Sequence, residues 1–138
     1  MRHLLIIFAL VTGATAPATA QEDVGKQIEA QVFPPDLVMK HARDIDLTAD
    51  QRKQITAAIG EAQGQLIDLQ WQLGEAAEAV AQAIEPARVN EADALQKLDR
   101  VLDLERQVKR RQMALVIRIK NVLTAEQQTR LKELRARG

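Results

Sequence analysis

Apolar residues recur along the middle of this chain at alternating spacings of four and three. The first run is Ile55, Ile59, Ala62, Leu66, Leu69, Leu73, Ala76 and Val80, closing on Ala83 and Ile84. That is the stripe of a long helix packed along one seam, sustained for about four heptads. A helix is expected over 49–85, ended by Pro86. A second run of the same kind follows, with Leu98, Val101, Glu105, Val108, Gln112, Leu115, Ile119 and Val122 as its seam. It predicts a helix over 91–122 in which Glu105 and Gln112 are polar interruptions, a device that fixes register or pairing at some cost in stability. Leu95, Leu102, Leu104 and Val116 broaden this stripe. Two short segments flank the long ones. Residues 36–45 place Leu37, Val38, His41 and Ile45 on one helical face behind the Pro34-Pro35 start, and 125–137 carry Leu131 and Leu134.

The helix starts are written in side-chain chemistry. "LTADQR" at 47–52 and "LTAEQQ" at 123–128 are nearly the same six letters. In each, Thr followed three residues later by Gln fits a capping box. The Thr hydroxyl accepts from the Gln backbone N–H, and the Gln side chain reaches back to the Thr backbone N–H. Leu47 and Leu123 precede the caps, and Asp50 and Glu126 add negative charge at the positive end of the helix dipole. Each cap contributes about 1 kcal/mol. Asn90, with Asp93 three residues on, caps the second long helix after the "EPARV" turn. The fold expected is all-α, four helices in the order short, long, long, short, with the long pair as an antiparallel hairpin. A lone hairpin of this length covers one stripe per helix, so a homodimer that covers the rest is expected.

The N-terminus has a different pattern. Arg2 and His3, the apolar run Leu4–Val11 and the small residues Ala18-Thr19-Ala20 have the layout of a cleavable secretory signal peptide over 1–20. The apolar run is about half the ~20 residues of a spanning helix. The chain is therefore expected in the periplasm with no stable membrane span after cleavage, and nucleic acid is not an expected partner. Residues 21–33 show no sustained periodicity and read as a flexible leader to a helical domain over 34–138.

Composition narrows the chemistry. The 138 residues include no Cys and no Ser, and only one Trp, Trp71. Beyond the signal segment the single His is His41. Nucleophile–base sets cannot be assembled from this inventory, so a non-enzyme is expected. Metal ligation has weak candidates in His41, Met39 and Met113, without the paired His or Cys that a borderline divalent metal takes. No cofactor is expected. Charge is divided along the chain. Residues 21–99 carry 7 Lys and Arg against 15 Asp and Glu, whereas 100–138 carry 11 against 4. An acidic helix beside a basic one is one reading; a basic surface offered to an acidic partner or unfolded client is the other. Beside the seam of the first long helix, Gly60, Gly64, Ile67, Trp71 and Gly74 form a second stripe. Gly inside a helix costs about 1 kcal/mol relative to Ala. Close approach at an interface, an adaptable surface around Trp71, and simple tolerance are the readings open.

Two such capping motifs, at these ends of an exported helical chain, resemble the LTxxQ family. That family comprises Spy- and CpxP-type periplasmic chaperones and related heavy-metal sensors of the CnrX and ZraP type. The resemblance runs over 33–137, and "FPPDLVMKHARDIDLTADQR" is similar to the start of the metal-sensor-like branch. It implies a cradle-like antiparallel homodimer whose concave face holds unfolded polypeptide without ATP, or docks on the periplasmic domain of a sensor kinase in an envelope-stress response. The positions matching the motif are Leu47, Thr48, Gln51, Leu123, Thr124 and Gln127, with structural capping roles. Client or partner contact is expected from Trp71, Leu104, Arg106, Val108, Lys109, Arg110, Arg111 and Arg118. The alternative is a periplasmic heavy-metal sensor or resistance accessory protein.

Overall fold

The computed structural model describes residues 18–138, with side chains from Val24 onward. The described chain is helical, with five helices rather than four, in two units: one ends at Gln31, the other comprises Val32–Gly138. In the first, α1 spans Ala18–Glu29, where an irregular leader was expected. Its segment includes Ala, Gln, Glu and Lys, which favour helix, and only two large apolar residues, too few to sustain a stripe over several turns. Val24 and Ile28, four apart, are both exposed. The expected signal peptide lies outside the described residues except for Ala18–Ala20, which open α1. Among the described residues no helix is long and apolar enough to cross a membrane.

The second unit holds α2 (Pro35–Lys40), α3 (Ala49–Ile84), α4 (Glu91–Val122) and α5 (Ala125–Arg137). α2 is shorter than the expected 36–45. After Lys40 the chain makes a further turn that ends at Asp46, whose φ of 52° is left-handed. The Leu47 N–H donates to Ala42 C=O at 2.9 Å and the Asp46 N–H to Arg43 C=O at 3.2 Å, the two bonds of a Schellman ending with Asp in the place usually taken by Gly. Ile45 is still delivered to the core.

α3 and α4 pack against each other as an antiparallel hairpin. At 1.5 Å per residue, the 36 residues of α3 extend about 54 Å. Its seam has the expected phase, with Ile55, Ala62 and Leu69 buried and Ala58 added. The seam of α4 keeps the expected phase at Leu98, Val101, Val108, Leu115, Ile119 and Val122, all buried or half-buried, but departs from it at two positions. Leu104, only 1% exposed, and Ile119 are its buried residues, with Val101, Val108 and Leu115 half-buried beside them. Glu105 and Gln112, placed in the seam by sequence, are exposed and do not interrupt it. At the middle of α4, contact with α3 selects Leu104 over its neighbour Glu105 and so puts a leucine inside.

The main core gathers where α2 and α5 meet the open end of the hairpin. Phe33, Val38, Ile45, Ile55, Ile119, Leu123 and Leu131 form one buried cluster, with Leu37, Leu47, Ile59, Leu115, Val122 and Leu134 packed around it. Phe33, expected at the edge of a leader, is fully buried. The Arg135 guanidinium lies 5.3 Å from its ring centroid and donates to the Val32 carbonyl. The far end of the hairpin has only its own thin seam.

Candidate functional site

Two features stand out: a clasp that joins the repeated motifs, and a groove along α4. Both capping boxes form as the sequence predicts. The Gln51 N–H donates to Thr48 Oγ1 at 3.1 Å and the Thr48 N–H to Gln51 Oε1 at 3.1 Å; the Gln127–Thr124 pair repeats this at 3.2 and 2.9 Å. The two glutamines, 76 positions apart, also bond each other. Gln51 Nε2 donates to Gln127 Oε1 at 2.7 Å, and Gln127 Nε2 donates back to Gln51 Oε1 at 2.9 Å. Their remaining donors go to backbone carbonyls freed by the chain breaks: Gln51 Nε2 to Val122 at 3.0 Å and Gln127 Nε2 to Ile45 at 3.2 Å. Gln127 is buried, and among the described residues no buried side-chain polar atom is left without a partner. The repetition thus serves two local caps and one long-range pairing. The pairing itself is not readable from either motif alone. Leu123 is buried in the core and Leu47 packs against it.

The groove lies on the outer side of α4 and measures about 450 Å³. Leu102, Glu105, Arg106, Lys109, Arg110 and Met113 line it. Leu95 and Ile117, both exposed, continue the stripe at helical spacing in either direction. The surface alternates apolar and basic groups. Arg106 donates to Asp103 one turn back, and this bond, with one from Gln107, holds the Asp103 carboxyl below its usual range.

The expected contact residues divide into four groups. Arg106, Lys109 and Arg110 come together in the groove. Arg111 and Arg118 face α3 instead: Arg118 Nη1 donates to Glu61 Oε2 at 2.8 Å, and that bond first, with the charges of Arg118 and Arg111, lowers the Glu61 pKa. Leu104 and Val108 belong to the hairpin seam, where Leu104 offers no surface to a partner. Trp71 is 73% exposed on α3, on the side of that helix turned away from α4. Sequence reading passed over Leu102 as a groove residue, and placed Glu105 in the seam and Met113 among metal ligands. The signal was present as the 4,3,4 spacing of Leu102, Arg106, Lys109 and Met113, a stripe that mixes apolar and basic residues.

The three weak metal candidates are not brought together. His41 Nδ1 lies 2.9 Å from Asp44 Oδ2, Met39 lines an apolar groove between α2 and α3, and Met113 lines the groove of α4. Among the described residues no three His, Cys, Asp or Glu side chains converge.

No family model matches the chain, and neither a curated protein nor a solved structure matches it.

Proposed function

We propose that this chain is a periplasmic, ATP-independent holder of unfolded polypeptide of the Spy/CpxP type, working as a cradle-like antiparallel homodimer. The observation that carries the reading is the α4 groove, where exposed Leu102 and half-buried Met113 share a stripe with Arg106, Lys109 and Arg110. Such a surface suits an unfolded chain, which presents apolar side chains and backbone carbonyls without a fixed shape. Shallow, mixed contacts are individually weak, as a holder that must release its client requires. The rigid hairpin and the Gln51–Gln127 clasp support the reading by presenting the stripe on a helix rather than a loop. The two LTxxQ-like motifs point the same way. No catalytic group and no cofactor are part of the proposal, and the same groove fits an acidic face of a sensor-kinase periplasmic domain in a stress response.

Light scattering of a chemically unfolded client, with the chain added at near-stoichiometric amounts and no ATP, tests the reading. The expected result is strong suppression of aggregation, reduced several-fold when Arg106, Lys109 and Arg110 are together reversed to Glu. Equal suppression by the reversed variant removes the groove from the reading. No suppression by either removes the holder itself and favours a regulator or metal-responsive accessory, which a divalent-metal titration then examines.

A further inference from the structure

We infer that the outer face of α3 pairs with the same face of a second copy, antiparallel, about a two-fold axis near Ile67. The inference rests on the antiparallel homodimer proposed above and adds its surface and register. Ten positions from 53 to 85, spaced four and three without a break, are all exposed. This is the spacing of a coiled-coil seam, on the side of the helix opposite the seam that α4 covers. Its middle holds the large apolar side chains of Ile67 and Trp71, 55% and 73% exposed, among Gly60, Gly64 and Gly74. A Cβ built on any of these three glycines meets nothing within 4 Å, so nothing in their own chain calls for the missing side chain.

The arrangement is complementary to itself in one direction only. Gly60 and Gly74 each stand seven residues from Ile67, so an antiparallel pair centred there sets them opposite each other and lets the backbones approach. Trp71 then comes level with the partner's Gln63 and beside its Gly64, where no Cβ obstructs the indole. The ends of the stripe carry opposite charge: Lys53 at the start, Glu78 and Glu85 toward the finish. Antiparallel pairing brings Lys53 of one copy opposite Ala81 of the other, between those two carboxylates. Parallel pairing would set Lys53 on Lys53, Glu78 on Glu78 and indole on indole. A self-complementary patch of this kind is what a two-fold interface requires, and it selects a second copy over a client of variable sequence. With about 17 residues from the axis to each end of α3, the hairpin turn of one copy comes level with the other's groove lined by Met39, Leu47 and Arg52.

The chain has no cysteine, so single-cysteine variants report the register directly. Under mild oxidation, Ile67→Cys alone is expected to form a disulfide-linked dimer. Lys53→Cys and Ala81→Cys are each expected to stay single alone and to cross-link when mixed. Self-linking of Lys53→Cys would show parallel pairing and overturn the inference. A dimer in sedimentation that none of these positions links overturns the face while leaving the homodimer. A monomer at every concentration overturns both. Gly64→Leu provides a separate check, because it favours the isolated helix yet occupies the place of the partner's indole. Dimer affinity is expected to fall at least tenfold, with Trp71 emission moving to the red; unchanged affinity would contradict the pairing.

Discussion

Gln127 sits in the first turn of α5, and its amide serves that helix start, the cap of α3 through Gln51, and the turn before α3 through the Ile45 carbonyl. Its oxygen caps α5 and accepts from Gln51, while its nitrogen donates to Gln51 and to the Ile45 carbonyl. Replacing it by Ala leaves buried backbone and amide groups unpaired, each costing about 1–3 kcal/mol. Gln127→Ala is expected to lower stability by about 2–3 kcal/mol in denaturant unfolding, and the half-buried Gln51→Ala by about 1–2. The double variant should lose less than the sum, with a coupling of about 1 kcal/mol; simple additivity would show that the reciprocal bond contributes nothing. Asp46 offers a prediction of opposite sign. Its left-handed backbone is strained for a residue with a Cβ, so Asp46→Gly is expected to raise the melting temperature, with a gain of up to about 1 kcal/mol. The Glu61 carboxyl, held low by the Arg118 bond, takes its proton at lower pH in the folded chain than in the unfolded one. Its small contribution is therefore present at neutral pH and lost as pH falls through the lowered value. Arg118→Gln should raise the Glu61 pKa in an NMR titration, and most of that difference should vanish in about 1 M salt, since both groups are exposed.

At the scale of elements, what the sequence made legible was what is chemically local. Thr48, Asn90 and Thr124 cap their helices where the letters place them, because a cap needs only the next three residues. Along α4 the expected seam holds except at Glu105 and Gln112, because the strict four-three count passes over Leu104, which contact with α3 puts inside in place of Glu105. Leu104→Ala is accordingly expected to cost about 2–4 kcal/mol, whereas Glu105→Ala should change stability by no more than about 0.5. Comparable losses at the two positions would return Glu105 to the seam. The groove stayed hidden for the same reason, since its residues stand out only once the seam is assigned. α1 is hard to read from the letters because its apolar positions are few, Val24 and Ile28 alone among large side chains, over only about three turns. The Gln51–Gln127 bond joins positions 76 apart, and neither motif says that it meets the other.

For the whole molecule, the opposed charges of its two halves are used partly inside the hairpin and partly outside. Arg100 donates to Gln72 and Arg118 to Glu61 across the two long helices, while Arg106, Lys109 and Arg110 remain around the groove. If those three steer and hold an unfolded chain, client holding should weaken as salt rises, because exposed charges are screened over about 8 Å at physiological ionic strength. Holding that is indifferent to salt would assign the surface to its apolar members, Leu102 and Met113. The most direct test places a photoreactive side chain at Leu102, inside the groove, and in a separate variant at Thr129 on the exposed side of α5, then illuminates each with an unfolded client in the absence of ATP. The account predicts client captured from Leu102 and little from Thr129. Equal capture at the two positions, or none at Leu102, would contradict it.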